Sequence, residues 1–326
     1  MRFIDFTPGG SAHELTINTT SAPKPARGQA LIKVAAFGIN RADLLQRKGQ
    51  YPPPPGESDI LGLEVAGEVV ELGEGGEVSA IKPGMRVCGL VAGGGYAEYA
   101  VVDCAQLIPL ADNLTDEQGA AIAECYLTAY QSLFVEYALQ PGQTVLIHAG
   151  ASGVGLAAIQ LAKQRGCAVA VTSSSAEKLA ICQANGADHL INYRQQDFAE
   201  VLRSLGVKCH LIVDFVGGDY VNRNVASLER DGVIIQLATL AGRYVEKLDL
   251  GMMLAKRAVL KASTLRNRSA DYKAKLVAAF CQDFYAALAS SAIQPVIDSV
   301  YSVDNIAAAH ARMESSQNSG KLVVHW

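Results

Sequence analysis

The sequence lacks any Cys-x-x-Cys pair. Its seven cysteines, at 88, 104, 125, 167, 182, 209 and 281, are odd in number and widely spread, which argues against a disulfide framework and against a structural zinc cluster. They read as small core residues. Cys125 sits in a Glu-Cys-Tyr-Leu-Thr stretch, but no activating base for a nucleophile is evident beside it. No apolar run approaches the length of a membrane span, and Met1-Arg-Phe-Ile-Asp5 has no apolar leader region, so a cytoplasmic protein is expected. Basic stripes are missing as well. The net charge is −4 with Lys and Arg scattered, which leaves no surface for nucleic acid and no basic amphipathic helix for a membrane. What is present is a chain of 326 residues, 50% hydrophobic and 18% charged, enough for two domains that each bury a core.

The most informative stretch is Thr144-Val-Leu-Ile-His-Ala-Gly-Ala-Ser-Gly-Val-Gly-Leu156. Thr144 to Ile147 suit a strand buried on both faces, and Leu156, Ile159, Leu161 and Ala162 suit a helix laid on a parallel sheet. Between them Gly150, Gly153 and Gly155 let backbone amides approach a pyrophosphate, with the positive end of the helix beginning near Val154 aimed at the same charge. The usual Gly-x-Gly-x-x-Gly pattern is altered: Ser152 occupies the middle position. After the next strand, Ala168 to Thr172, the chain reads Ser173-Ser174-Ser175, with no carboxylate to accept the ribose 2′-hydroxyl of NAD. Hydroxyls, Lys178, Tyr193 and Arg194 follow instead. Donors and cations suit a 2′-phosphate, so NADP(H) is the expected cofactor. The competing reading makes the serines helix caps and Lys178 a solvated charge.

The first 120 residues carry short β-rich runs at 30–36, 63–72, 86–91 and 96–102, separated by turns such as Gly73-Glu-Gly-Gly76 and Lys82-Pro-Gly84, and predict a β-barrel-like domain. Asn40 to Tyr51 is a short helix stopped by Pro52-Pro-Pro-Pro55, which holds Tyr51 on a stiff loop. A helical stretch over 115–136 leads into strands at 144–148, 168–172, 188–192, 210–215, 233–237 and 258–262. Strand and helix alternate, as in a doubly wound parallel sheet. Its carboxyl-end crevice makes Asp214 to Gly218, including Val216, then Leu237 to Leu240, and Ser263-Thr264-Leu265 candidate nicotinamide-side contacts. A long amphipathic helix over 272–290 follows. The tail from Val296, two strands and a helix with no sheet of its own, is expected to return to the first domain.

Asn40-Arg-Ala-Asp43, Leu61-Gly-Leu-Glu-Val-Ala-Gly-Glu-Val69, Lys82-Pro-Gly-Met-Arg-Val87, Leu127-Thr-Ala129 and His148-Ala-Gly-Ala-Ser-Gly-Val-Gly155 stand in the order found in the medium-chain dehydrogenase/reductase superfamily. The chain resembles its quinone oxidoreductase, zeta-crystallin-like branch over essentially its full length. Through Asn40 to Gly56, Gly93-Gly-Gly95 and Leu265-Arg-Asn-Arg268 it most resembles the tumour-suppressor-inducible quinone oxidoreductase subgroup. The resemblance implies an α/β protein: a GroES-like β-barrel catalytic domain, residues 1–125 and 266–326, and a Rossmann NADP(H)-binding domain, residues 126–265, usually in a homodimer. It implies cofactor contacts from Asn40, Thr128, Ser152 to Val154, Lys178, Tyr193, Leu240, Asn318 and Lys321, and places Tyr51 in the substrate pocket; Ser173 and Ser174 join them from the charge argument. Asn40 and Leu63 stand where zinc enzymes of the superfamily carry Cys and His ligands, and their four-cysteine lobe is missing, so no metal is expected.

Without a Lewis acid, alcohol oxidation loses ground. A quinone is already electron-poor and can accept hydride directly, so the expected reaction is NADPH-dependent reduction of a small quinone in the interdomain cleft, with alignment as the main task. Tyr51 is either a donor to the developing oxyanion or an aromatic wall. Asp43 is either a hydrogen-bonding support for the pocket, the favoured reading, or a surface residue of its helix. Two other functions stay open: reduction of an activated alkene such as an enone or 2-alkenal, and NADPH binding without turnover in a crystallin-like role.

Overall fold

Runs of β-branched and apolar residues set the strands, and the structure, a computed structural model, describes residues 1–76 and 80–326. The chain opens with β1 (Arg2–Asp5), β2 (Thr16–Thr19), β3 (Gln29–Ile39), α1 (Arg41–Arg47), β4 (Glu64–Leu72), β5 (Arg86–Leu90), β6 (Tyr99–Asp103) and β7 (Leu107–Pro109). Next come α2 (Asp116–Gly119) and α3 (Ala123–Tyr130), then β8 (Thr144–Ile147), α4 (Gly153–Gln164), β9 (Ala168–Ser173), α5 (Ala176–Ala184), β10 (His189–Asn192), α6 (Phe198–Ser204) and β11 (Cys209–Asp214). The remainder is α7 (Tyr220–Ser227), β12 (Leu228–Gln236), α8 (Leu250–Lys256), β13 (Val259–Ala262), α9 (Ala270–Ala289), β14 (Ile297–Ser302), α10 (Ile306–Glu314) and β15 (Lys321–His325). Two compact units result, Met1–Leu127 with Leu265–Trp326, and Thr128–Thr264.

The first unit is built on a sheet of order β14-β15-β3-β4-β5-β7, with β6 also on β3. All pairings are antiparallel except β14 with β15. β3 is the hub: it pairs with β6 over its first half, β15 over its second and β4 along most of its length. Its Val, Ile and Phe residues suit that position, and Ile32, Phe37 and Ile39 enter a core shared with Leu44 of α1, Val65 of β4 and Val324 of β15. Gly38 serves the site next to it. A Cβ there would lie 2.4 Å from Glu64 Oε1, so only glycine lets that carboxylate reach the end of β3.

The second unit is a six-stranded parallel sheet of order β10-β9-β8-β11-β12-β13. In sequence order that is 3-2-1-4-5-6, the doubly wound Rossmann arrangement. All six strands read from the sequence are present, with β12 starting five residues earlier than 233. The helical stretch read over 115–136 is built as α2, a turn at 120–122, α3 and a π-helical turn over Gln131–Val135. Gly119 lies at the break, where Leu110 and Ala66 pack so close that a Cβ would sit within 3.0 Å of them; glycine is also a weak helix former.

Candidate functional site

In the parallel-sheet unit the site grows from the end of β8, beside the point where strand order reverses between β8 and β11. Ser152 accepts a hydrogen bond from Gly155 N at 3.1 Å and caps α4, which explains a serine at the fingerprint's middle position. Gly150 packs on β9, where a Cβ would lie 2.8 Å from Val171. Gly155 is held tighter: a Cβ would fall 2.5 Å from Gly150 O and 2.6 Å from Ala149 O. The loop backbone is thus drawn to the mouth of α4, whose first residues are Gly153 and Val154. Such a cradle of amides at a helix N-terminus fits a pyrophosphate. Thr128 Oγ1, buried with no hydrogen-bond partner among the described residues, is a polar atom that the bound group would satisfy.

The carboxyl ends of β9 and β10 meet, with Asn192 paired to Ser173 and Tyr193 N donating to Ser173 O at 3.1 Å. Ser173, Ser174, Tyr193 and Arg194 therefore lie together at the carboxyl ends of these two strands, with Lys178 in the first turn of α5 that follows β9. Ser175 is the cap of α5, accepting from Lys178 N, so the cap reading holds for one serine of the three. Sequence reasoning passed over Glu177, an exposed carboxylate in the first turn of α5 that interacts with Ser175; the helix N-terminus accounts for it.

At the end of β11 a buried polar chain fixes the Val216 turn. Asn224 Nδ2 donates to Asp214 Oδ2 at 2.8 Å, leaving Asn224 Oδ1 to accept from His148 Nε2 at 2.7 Å, while His148 Nδ1 faces Thr172 Oγ1 at 2.9 Å. Burial holds the His148 pKa down, so the ring is a neutral link. Asp214 Oδ1 accepts from the amides of Val216 and Gly217, and Leu240 N and Ala241 N bond to Phe215 O and Val216 O. Val216 and the 58%-exposed Leu240 are brought together. Thr264 O accepts a long bond from Gln131 Nε2 at 3.4 Å.

In the antiparallel unit the site centres on Asn40, where β3 gives way to α1. Asn40 Nδ2 donates to Glu64 Oε1 at 3.0 Å, and its Oδ1 accepts from Lys321 Nζ at 2.8 Å. Lys321 also donates to Ile39 O at 3.0 Å and Glu64 Oε1 at 2.5 Å. Burial works to lower its pKa, but Glu64 and its neighbours outweigh that and hold the ammonium above its ordinary value. An ammonium has three donors, and all three are engaged here. Lys321, expected from the resemblance to contact the cofactor, here locks Asn40 and Glu64 together. Asn318 donates to Gly320 O, in the turn that leads into β15, and Leu265 is buried at the edge of this unit.

Asp43 is fully buried, which removes the surface reading and leaves that of a hydrogen-bonding support. Its Oδ2 accepts from Asn40 N at 2.7 Å, capping α1. Tyr51 is half-buried, with the Arg266 guanidinium 5.3 Å from its ring centroid, a cation–π stack. Arg266 is held by Ala92 O at 2.8 Å and Gln46 Oε1 at 2.7 Å. Burial raises the Tyr51 pKa against the opposing pull of Arg266, so its hydroxyl keeps its proton. Glu124 adds a carboxyl that burial and Glu64 push up to about 7. Glu64, Glu124 and Arg266 were not singled out from sequence; a partner 257 residues away, as Lys321 is from Glu64, leaves no local pattern. Among the described residues no three His, Cys, Asp or Glu side chains converge to hold a metal ion, and no helix is long and apolar enough to cross a membrane.

The chain matches two family models, an alcohol dehydrogenase GroES-like domain over residues 26–112 and a zinc-binding dehydrogenase domain over residues 153–281. It is 31% identical over 329 residues to the quinone oxidoreductase of Lama guanicoe, covering 99% of this chain and 97% of that protein. It is 30% identical to the synaptic vesicle membrane protein VAT-1 homolog of Rattus norvegicus, covering 99% of this chain and 84% of that one. Among solved structures it is similar to the Escherichia coli quinone oxidoreductase complexed with NADPH, with a TM-score of 0.88, 28% identity and 100% of both chains covered.

Proposed function

Since the chain belongs to the medium-chain dehydrogenase/reductase superfamily, in its zinc-independent quinone oxidoreductase branch, we propose that it is an NADPH-dependent quinone reductase. The observation that carries this reading is the locked Asn40–Glu64–Lys321 cluster, with Tyr51 held under Arg266 in the same unit. These groups orient and hydrogen-bond; Asn40 and Leu63 offer a metal no thiolate or imidazole, which suits an acceptor that needs no Lewis acid. NADPH fits the phosphate loop and the orphaned Thr128 hydroxyl, and the Ser173, Ser174, Lys178 and Tyr193 edge suits its 2′-phosphate. Bound there, it would supply the hydride.

The chain's own residues then have two tasks. Asn40 presents a fixed amide to the reacting end, and Tyr51 donates its retained proton toward the oxyanion that develops as the quinone carbonyl is reduced. Arg266 beside the ring offsets the negative charge left on the tyrosine oxygen until solvent returns the proton. Asp43 holds Asn40 from behind and touches no reactant. We also propose a homodimer. β13 is the open edge of the parallel sheet and all four of its residues are exposed, an edge that invites antiparallel pairing with a second copy.

The test is NADPH oxidation by purified, chelator-treated protein against an ortho-quinone, a para-quinone and a 2-alkenal. Turnover of a quinone is the expected result. Turnover of the alkenal alone, giving the saturated product, would move the activity to double-bond reduction, and silence with all three would leave a binding protein.

A further inference from the structure

A buried chain of hydrogen bonds runs from the last residue of α1, through His310 of α10, back to the first turn of α1. Arg47 Nη1 donates to His310 Nδ1 at 3.0 Å, His310 Nε2 lies 3.0 Å from the Tyr96 hydroxyl, and that hydroxyl donates to Asp43 Oδ2 at 3.1 Å. None of the four side chains is more than 1% exposed. The chemistry of the groups fixes the direction of every bond. A guanidinium only donates, so Nδ1 accepts and the imidazole proton sits on Nε2; Nε2–H then donates to the tyrosine oxygen, leaving the tyrosine proton for the carboxylate. His310 carries no charge of its own, because burial and Arg47 press its pKa down to about 3. The chain therefore points one way, from a permanent cation to Asp43.

Asp43 needs that support. Its Oδ1 is buried without a hydrogen-bond partner among the described residues, and burial pushes its pKa up to about 6. The groups facing it are the Asn40 amide, Lys321 of β15, Tyr96 and Arg266, all of which favour the carboxylate, and Glu124 of α3, which repels it. Glu314 on α10, paired with Arg47 and Lys48, closes the far end.

We propose that Tyr96 and His310 are positioning residues for the reduction: they hold Asp43 as the carboxylate that caps α1 and so keep Asn40 in its working orientation. The proposal rests on the reading that Asn40 serves the reacting end. Tyr96→Phe removes the terminal donor, and His310→Leu removes the link behind it. His310→Gln restores the polarity, since its amide oxygen can accept from Arg47 and its N–H can donate to Tyr96.

The experiment is the pH profile, between pH 5 and 9, of kcat/KM for quinone reduction and, separately, of the NADPH dissociation constant read by fluorescence. An acid limb with its midpoint near 6 is expected in the wild type, moved up by about one pH unit in Tyr96→Phe and His310→Leu, and restored in His310→Gln. The binding arm needs no acceptor: a midpoint shift there sustains the proposal even if no quinone is turned over. Unshifted profiles in both arms in folded Tyr96→Phe and His310→Leu, with only the melting temperature lowered, would overturn it.

Discussion

Tyr51 and Glu124 show how burial decides what a side chain can do. Tyr51 is half-buried and keeps its proton despite the Arg266 guanidinium over its ring, the state a donor must have. Tyr51→Phe should lower kcat for quinone reduction by about 10-fold or more while leaving NADPH affinity unchanged; an unchanged kcat would assign the proton to water and the ring to the pocket wall. Glu124 is a different case. Its native pKa, about 7 against an ordinary 4.5, means the folded protein binds this proton more tightly than the unfolded chain. Stability is therefore lost as pH rises through that window. Glu124→Gln should stabilise the protein at pH 8 by about 2–3 kcal/mol and change little at pH 4.5, which denaturant unfolding at the two pH values will measure. At this scale the sequence was least legible. Asn40, Asp43 and Tyr51 could be picked out because they lie in one short motif, whereas His310, in the helix of the tail, meets Arg47 from 263 residues away.

Elements were far more legible, because their signals are local. The β8–loop–α4 unit announces itself through a β-branched run, glycines and a helix face within a dozen residues, and even the departure at Ser152 has a local cause in the cap it makes. What the periodicity over 115–136 could not show is that Gly119 packs against Leu110 and Ala66, and tertiary packing of that kind overrides helical propensity. The prediction that belongs here concerns the ends of β9 and β10. Replacing Ser174 and Lys178 together with Ala should weaken NADPH by about 1–3 kcal/mol and NADH by much less, by direct titration of both cofactors. Equal losses would detach these residues from the 2′-phosphate.

For the whole molecule, the alternation of strand and helix identified a doubly wound sheet and the short β-rich runs a β-barrel-like domain, since two- and 3.6-residue periods survive in any context. Register did not follow from pattern: β15 pairs β3 through Leu322 opposite Ile39, a match chosen by the core rather than by either strand alone. The proposed dimer draws on the exposed edge strand β13. If β13 pairs with its copy, the wild type should run as a dimer in size exclusion with light scattering, and Leu260→Glu, on that exposed edge, should convert it to a folded monomer. A monomeric wild type would remove the dimer.

Hydride passing from NADPH to a quinone without a metal is the central step of the proposed reaction. Its most direct test is an anaerobic single turnover: chelator-treated protein loaded with NADPH, mixed with an ortho-quinone, with nicotinamide absorbance and hydroquinone followed together. One hydroquinone formed for each NADPH consumed, at a rate independent of added zinc, is the predicted result. No NADPH consumed, or turnover that appears only when zinc is restored, would contradict it.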